Sequence, residues 1–418
     1  MSPAEERTLE IERVVAGGDG LARADSLVVF VPRTLAGERV RARVTVRGRL
    51  ARGELVAVER TSPLRVPAAC AHYEGDACGG CQLQHAAYEE QLRIKSAIVV
   101  EAMRRMAHRD VAPPMVRAAV SPWRYRRKLT LTLRRRGGSW YAGLRHRAHP
   151  DAVFALRECA ITADEVLAVW RDIMAAARHL PDAPELRGSV RVTLDGNASF
   201  TLEGGIAWPE SGELFAAVGG LRSLWWAPED ATRRRMHVRT DDTADASPDA
   251  SFAQINEASA PAMLRYAIDR VRAYEPAHVV DGYAGTGDGA SLMAAAGIRV
   301  TAIELDRDAA RWAADRIPAP SRVIADRVER ALAGVLPADV VLLNPPRGGL
   351  DPVVCDIIGA ADPAPRAIVY VSCDPATLAR DVARLPGWRI ASLECFDLFP
   401  QTAHVETVCE LVPSREAA

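Results

Sequence analysis

Short stretches of alternating apolar and polar residues fill about the first 60 positions of the chain. Strand-like examples lie at 27–31, 39–46 and 53–58, and glycine turns such as the one at 17–20 separate them. Short strands joined by turns predict a small closed β-barrel of the OB type, which is a common nucleic-acid module. We therefore assign residues 1–60 to an N-terminal β-barrel domain without catalytic residues.

The middle of the chain changes pattern twice. Helical periodicity runs from Ala86 to His108 and stops before Pro113 and Pro114. From about 120 to 240 strand patterns return, at 128–133, 189–194 and 199–202, with one helix over 163–179. We expect a central α+β domain over residues 61–247, followed by a polar linker from Thr240 to Ala250.

Strands and helices alternate from Phe252 onward, as a parallel sheet requires. Apolar runs at 277–281, 300–304, 339–343 and 367–371 are the predicted strands. This pattern predicts a C-terminal α/β domain, residues 248–418, of the Rossmann-like type. Chemistry in such sheets collects beyond the carboxyl ends of the strands.

Cys373 lies at such a strand end, just after the run that finishes at Val371 and before a predicted helix over 376–385. The sheet would fix the thiol in place, and the amino end of the next helix would favour the thiolate, so Cys373 is a candidate nucleophile. The alternative is that Cys373 is one more small buried apolar residue.

A glycine-rich loop follows the strand that ends in Asp281, and the next strand ends in Glu304 about twenty residues later. This is the arrangement of a nucleotide site, in which glycines permit close backbone approach and the carboxylate binds ribose hydroxyls. The spacing of Gly285, Gly287 and Gly289 departs from the dinucleotide fingerprint and fits an S-adenosylmethionine site instead, where no pyrophosphate is bound.

Three of the eight cysteines, Cys70, Cys78 and Cys81, cluster in one loop, and Cys159 is a distant fourth. The acidic and polar first residues are not the pattern expected of a secretory signal, and no apolar run approaches the roughly 20 residues that a membrane span needs. We therefore expect a cytoplasmic protein without disulfides. Zinc and an iron–sulfur cluster both accept four thiolates, and three clustered thiols with a remote fourth favour a [4Fe–4S] cluster.

Net charge is −1, yet the arginines are unevenly distributed. Two stretches, 39–52 and 117–149, are rich in arginine; the first contains no acid between its arginines, and the second none between Arg117 and His149. Aromatic residues such as Trp123 and Tyr141 are interleaved with the second stretch. Such surfaces suit phosphate contacts and base stacking. The alternative is an ordinary solvated face of strands.

Three motifs in the right order resemble the RNA (uracil-C5)-methyltransferases. They are the segments 78–85 (CGGCQLQH), 372–381 (SCDPATLARD) and 399–406 (FPQTAHVE). The resemblance covers nearly the whole chain. It is greatest to the branch that carries an N-terminal TRAM domain and a [4Fe–4S] cluster and that modifies 23S ribosomal RNA.

The resemblance implies a role for each matching residue. Cys373 would be the nucleophile and Glu406 the general base. A helical part of the central domain, at about 83–115, would pack on the catalytic domain. The S-adenosylmethionine contacts would be Gln254, Tyr283, Asp288, Glu304, Asp326 and Asn344, and the cluster ligands Cys70, Cys78, Cys81 and Cys159.

The implied chemistry explains these residue types. Uracil C5 is a poor nucleophile until a thiolate adds to C6, and a base must later remove the C5 proton so that the thiol can leave. The target uridine must also leave its stack, which a single-stranded loop of RNA allows. We expect a monomer that acts on 23S rRNA, with transfer RNA as the alternative substrate.

Three departures from the family pattern keep other hypotheses open. The gap from Cys70 to Cys78 is long, Asp374 stands where asparagine is common, and Asn344 replaces an aspartate before Pro-Pro. Asn-Pro-Pro also occurs in enzymes that methylate amino nitrogens, although an aromatic residue would then follow, and here it is Arg347. A catalytically lapsed RNA-binding protein is the remaining alternative.

Overall fold

The described residues form three β-sheets with helices packed beside them. The computed structural model describes residues 5–25, 27–48, 50–76, 78–229, 236–240 and 255–414. No helix in these ranges is long and apolar enough to cross a membrane. Two predicted features fall outside them: Gln254, and the linker from Thr240 to Ala250 apart from Thr240 itself.

The N-terminal sheet is a closed five-stranded barrel. Alternating side chains such as Val29, Val31, Val40 and Ala42 point inward and are fully buried, which is the pattern that the sequence predicts for strands around a small core. The strands close in the order β1-β2-β3-β5-β4, where the bounds are β1 (Glu5–Val14), β2 (Asp19–Ala24), β3 (Leu27–Pro32), β4 (Arg39–Arg47) and β5 (Leu50–Arg60).

A helical segment links the barrel to the rest of the chain. The cysteine-rich loop contains one turn of helix, α1 (Ala71–Glu74), and then α2 (Tyr88–Ala102) runs on into a π-helical turn, Met103–Ala107. Buried positions of α2 such as Gln91, Ile94 and Ile98 recur every three or four residues and so lie on one face. The two-residue strand β6 (Val116–Arg117) follows.

The central sheet has seven strands with two helices beside it. Trp170 anchors the longer helix, since its ring packs edge-on against Phe200 at 5.7 Å and its Nε1 donates to the Leu129 carbonyl at 3.2 Å. The strand order is β13-β12-β11-β10-β7-β8-β9, for β7 (Lys128–Arg136), β8 (Ser139–Arg145), β9 (Val153–Ala155), α3 (Asp164–Ala175), β10 (Glu185–Val192), β11 (Ala198–Glu203), α4 (Ser211–Ala217), β12 (Leu221–Ala227) and β13 (Met236–Thr240).

The C-terminal part alternates strands and helices as predicted. Strands β14, β15, β17 and β18 are buried almost throughout, as expected for a sheet covered on both faces. The elements are α5 (Ala260–Arg272), β14 (His278–Gly282), α6 (Asp288–Ala295), β15 (Arg299–Ile303), α7 (Arg307–Arg316), β16 (Arg322–Ile324), α8 (Val328–Ala331), β17 (Val340–Leu343), α9 (Pro352–Gly359), β18 (Ala367–Ser372), α10 (Pro375–Ala383), β19 (Trp388–Phe396) and β20 (Glu406–Pro413).

The strand order of this sheet is β16-β15-β14-β17-β18-β20-β19-β6. The first five are parallel, whereas β20 is inserted antiparallel between β18 and β19. The order reverses between β14 and β17, and this switch point is where α/β sheets bind their ligands, at the carboxyl edge. The fold is therefore the predicted one: a barrel, a central α+β part and a Rossmann-like α/β domain.

One strand of the C-terminal sheet comes from a much earlier part of the sequence. Strand β6 pairs parallel with the end of β19 through Val116 and Arg117. The segment from α2 to β6 thereby lies against the C-terminal sheet, and α2 also contacts α10. This arrangement brings the helix after the cysteine-rich loop next to the carboxyl edge of the sheet.

Candidate active site

Cys373 lies between the end of β18 and the start of α10, and its side chain is half-buried. Asp374 caps the helix, because its Oδ1 accepts hydrogen bonds from the backbone N–H groups of Ala376 at 2.8 Å and Thr377 at 3.0 Å. Aspartate and asparagine are equally good helix caps. The departure at position 374 is therefore compatible with the local structure.

Glu406 lies beside Cys373 because of the register between two strands. Ser372 pairs with Thr407, and Val371 pairs with Val408, in the antiparallel ladder of β18 and β20. Extending this register by one residue sets Cys373 opposite Glu406. Glu406 is buried, and burial raises the pKa of its carboxyl to about 7. The predicted nucleophile and base are thus brought together.

The charged groups near Cys373 shift the pKa of its thiol in opposite directions. Burial raises the pKa of the Cys373 thiol above its ordinary value, and the nearby negative charge of Glu406 raises it further. The guanidinium of Arg347 lowers the pKa of both Cys373 and Glu406. Arg347 follows the Asn-Pro-Pro segment at the end of β17 and is exposed. It is the nearby cation that favours the two ionised forms.

The glycine loop after β14 turns sharply at the switch point. Tyr283 has φ +64°, and Gly285 and Gly287 also have positive φ, at +57° and +77°. A side chain at 287 would strain this backbone, and its Cβ would lie 2.7 Å from that of Ala313. The loop is held to the neighbouring strand end, since the Gly285 N–H donates to Glu304 Oε2 at 2.8 Å.

The other predicted S-adenosylmethionine contacts follow neighbouring strands at the same edge. Asp326 comes after β16 and accepts from the Arg327 N–H at 2.7 Å. Asn344 follows β17, and its N–H donates to the Gly282 carbonyl at 3.2 Å. Asp288 begins α6 and pairs with Arg316 at 2.8 Å. Together with Tyr283 and Glu304, these residues surround the switch point, while Gln254 lies outside the described residues.

Asp281 is an acid at this edge whose role the sequence analysis does not assign. It ends the apolar run of β14, is buried, and has its pKa raised to about 7 by burial and by the charge of Glu304. In the sequence, Arg347 is distinguished only as a non-aromatic residue after the Asn-Pro-Pro segment. Strand-end position is the signal that singles out Asp281, whereas only the folded sheet brings Arg347 to Cys373.

The four clustered cysteines share one neighbourhood of the fold. Cys81 packs with Tyr73, Tyr125 and Ile161, and Cys70 and Cys159 lie against the same cluster. Burial, together with the smaller effect of the other thiols of the group, raises the pKa of Cys78 to about 11 and of Cys81 to about 12. Within the described ranges, no group of three or more His, Cys, Asp or Glu side chains is arranged so that it could hold a metal ion.

The two arginine-rich stretches contain no acids in their own sequence, but the fold brings acids from other elements next to them. In space their side chains meet acids from other elements: Arg43 pairs with Glu54, Arg134 with Glu185, and Arg135 with Asp182. Much of the predicted basic surface is therefore neutralised. Arg135 and Arg136 also stack on aromatic rings, at 4.6 Å from Trp140 and 5.1 Å from Tyr141.

Comparison with known proteins agrees with this geometry. The model of the tRNA (Uracil-5-)-methyltransferase family matches residues 331–412. A 23S rRNA (uracil(1939)-C(5))-methyltransferase of Pseudomonas putida, RlmD, is 32% identical over 427 residues, covering 96% of this chain and 92% of the relative. An RNA methyltransferase of Protochlamydia amoebophila, itself uncharacterized, is 26% identical and covers 96% of each chain.

A solved structure has the same fold. The Pyrococcus abyssi tRNA (uracil-54, C5)-methyltransferase, in complex with S-adenosyl-L-homocysteine, superposes with a TM-score of 0.70 at 23% sequence identity. The similarity covers 97% of this chain and all of that one.

The fold and the site together define an S-adenosylmethionine-dependent methyltransferase. Within that class, the chain belongs to the RNA (uracil-C5)-methyltransferase family. This family methylates uracil C5, which favours that reaction over the amino-nitrogen methylation that Asn344 raised.

Proposed function

We propose that the enzyme forms 5-methyluridine in 23S ribosomal RNA in the cytoplasm, with Cys373 as nucleophile and Glu406 as general base. The observation that carries this proposal is the register of the β18–β20 ladder, in which Ser372 pairs with Thr407, so that the next residues, Cys373 and Glu406, lie opposite each other. The RlmD relative supports 23S rRNA as the substrate, because similarity to it extends over nearly the whole of both chains.

In the first half of the reaction, the Cys373 thiolate adds to C6 of the flipped-out uracil. The Sγ–C6 bond forms, and the electron pair of the C5–C6 double bond moves into an enolate. S-adenosylmethionine supplies a methyl group on a positively charged sulfur. The C5 carbon takes this methyl group, and the breaking bond leaves its electron pair on sulfur, which gives S-adenosylhomocysteine.

In the second half, Glu406 acts as the base. Its carboxylate removes the proton from C5, the electron pair restores the C5–C6 double bond, and the C6–Sγ bond breaks to release the thiolate. Because burial sets the pKa of Glu406 near 7, the carboxylate is both available at neutral pH and basic enough to take the proton. Arg347 favours the charged forms of both residues.

We assign S-adenosylmethionine to the switch point after β14. Tyr283, Asp288, Glu304, Asp326 and Asn344 would bind it there, together with Gln254. A carboxylate at the end of the second strand is suited to ribose hydroxyls. Glu304 already accepts from the Gly285 N–H through Oε2 and from the Asp306 N–H through Oε1, so its side chain is fixed in position before the ligand binds.

We also propose that Cys70, Cys78, Cys81 and Cys159 hold a [4Fe–4S] cluster. Two observations support this proposal, although the described thiols are not arranged as a metal site: they lie near enough to raise the pKa of Cys78 and Cys81, and the Gly80 N–H donates to Cys78 Sγ at 3.4 Å. A Cβ at Gly80 would lie 3.5 Å from that sulfur. Hydrogen bonds from backbone N–H groups to thiolates are a usual feature of cluster sites. The group would tie the loop before α2 to Cys159 of the central part.

Three arginines near this loop, Arg33, Arg52 and Arg147, support RNA binding by the barrel, which we assign to the TRAM type. The guanidinium of Arg33 lies 4.4 Å from the centre of the Tyr73 ring. Partial burial lowers the pKa of Arg147, and so do the charges of Arg33 and Arg52, while the nearby carboxylate of Asp19 opposes the shift. Like charges held together in this way favour binding of an anion, such as an RNA phosphate. We also propose that the chain acts as a monomer and that it divides into a barrel (1–60), a central RNA-binding domain (61–247) and a catalytic methyltransferase domain (248–418).

The substrate assignment is tested with transcripts of 23S rRNA and of transfer RNA. Mass-spectrometric mapping should locate 5-methyluridine in the 23S transcript, and Cys373→Ala should lower the rate by at least about a thousandfold, because it removes the attacking atom. Cys355→Ala, in helix α9 and outside the site, serves as the control. Methylation of transfer RNA alone would reject the assignment to 23S rRNA, and undiminished activity of Cys373→Ala would reject the mechanism.

The pKa of Glu406 predicts a pH dependence of the elimination step. Below pH 7 the carboxyl is protonated and cannot accept the C5 proton, so the release of methylated RNA should fall about tenfold per pH unit. Above pH 7 release should level off. Single-turnover quench experiments between pH 5.5 and 8.5 measure this step separately from methyl transfer. A release rate that is constant over this range would contradict the role of Glu406.

The cluster proposal predicts a brown protein after anaerobic purification. It should contain about four iron and four sulfide ions per chain. Cys81→Ala should lose the visible absorbance, whereas Cys355→Ala should keep it, because Cys355 lies in the core of the catalytic domain. One zinc ion per chain without iron would overturn the assignment.

A further inference from the structure

We propose that the polar face of helix α2, formed by Tyr88, Gln91 and Lys95, positions the general base Glu406. It does so by holding the connection between β19 and β20, residues 397–405, which leads directly into Glu406. The inference rests on the proposed role of Glu406. It adds a positioning device from the N-terminal half of the chain to a site formed by the C-terminal half.

The spacing on α2 suits this task. Tyr88, Gln91 and Lys95 are separated by three and four residues and therefore lie along one side of the helix. Lys95 Nζ pairs with Asp397 Oδ1 at 2.5 Å and donates to the Phe399 carbonyl at 2.9 Å. The side chains of Lys95 and Asp397 are completely buried. The Tyr88 hydroxyl donates to the other oxygen of Asp397 at 3.0 Å.

Gln91 holds the middle of the connection through a pair of hydrogen bonds. Its Oε1 accepts from the Gln401 N–H at 2.9 Å, and its Nε2 donates to Gln401 Oε1 at 2.9 Å. Both residues are buried. Gln401 has φ +69°, a strained conformation for a residue with a side chain. Such a conformation persists only where neighbours hold it, and Gln91 supplies that restraint.

The cysteine-rich loop holds Gln401 through its backbone carbonyl. The Gln401 carbonyl accepts from the N–H groups of Gln82 at 3.0 Å and Leu83 at 2.9 Å, and Gln82 directly follows Cys81. The Tyr125 hydroxyl donates to the Pro400 carbonyl at 3.0 Å. Helix α2, the cysteine-rich loop and Tyr125 thus hold the connection on three sides. All of these residues lie in the N-terminal part of the chain, before position 126.

The position of Glu406 depends on this connection. Phe396, the last residue of β19, pairs with Glu406, the first residue of β20, so the connection begins and ends beside the base. A general base must come within about 3 Å of the proton that it removes. A displacement of 1 Å can cost about a hundredfold in rate. Loosening Gln401 should therefore act on proton removal more than on any earlier step.

The order of the chemical steps makes this testable. Glu406 takes the C5 proton only after methyl transfer, so a misplaced base should leave addition and methyl transfer nearly intact. The methylated RNA would then stay bound to Cys373. A change that merely destabilised the fold would slow all steps alike.

The test is a single-turnover quench experiment with S-adenosylmethionine labelled on its methyl group and a uridine-containing RNA. Label in the protein–RNA adduct on a denaturing gel is separated from label in free RNA. For Gln91→Met, methyl transfer should stay within about twofold of wild type, whereas release should slow on the order of tenfold or more. The adduct should accumulate.

A second variant and a matched control complete the design. Gln401→Gly keeps the positive φ accessible, removes the side-chain half of the clamp, and should also accumulate adduct. Ser96→Ala on the same helix removes a bond to the Pro114 carbonyl of 2.8 Å, away from the connection, and should behave as wild type.

Equal slowing of transfer and release in both variants, or no slowing, would overturn the proposal. Wild-type protein that makes no methylated uridine at all would instead overturn the catalytic assignment on which the proposal rests. A wild-type enzyme that turns over normally while both glutamine variants release product at the wild-type rate would reject the positioning role alone.

Discussion

The active site depends on the antiparallel insertion of β20 beside β18. A parallel sheet presents only the carboxyl ends of its strands at one edge. Because β20 runs the other way, its first residue, Glu406, lies at the same edge as Cys373, which follows the last residue of β18. The reversed direction of this one strand therefore brings the proposed base next to the proposed nucleophile. Burial within the sheet then raises the pKa of both groups.

The N-terminal half completes this edge rather than merely adding an RNA surface. Strand β6 extends the catalytic sheet, and α2 contributes a buried ion pair between Lys95 and Asp397. A buried charge without a partner is costly, so this pair links helix and sheet strongly once both are folded. The cysteine-rich loop lies directly before α2 and donates to the Gln401 carbonyl. The proposed cluster site, the proposed RNA-binding surface and the proposed catalytic residues thereby lie in one contiguous region.

The sequence predicts the elements better than it predicts their contacts. Apolar runs located β14, β17 and β18, and strand ends identified Glu304 and Cys373, because both signals are local. The family resemblance supplied Glu406. The sequence pattern alone could not pair Glu406 with Cys373, because β20 follows β19 in the chain but lies between β18 and β19 in the sheet. Contacts between residues about 300 positions apart, such as Gln91 with Gln401, were equally out of reach, as were the acids that neutralise the arginine-rich stretches.

The central claim, that Cys373 forms a covalent bond to the target base, is tested most directly with RNA containing 5-fluorouridine. Fluorine cannot leave C5 as a cation, so the reaction should stop after methyl transfer with the RNA still attached. Proteolysis and mass spectrometry should then find the methylated adduct on the peptide that contains Cys373. An adduct on another cysteine, or methylated RNA released without any adduct, would contradict the account.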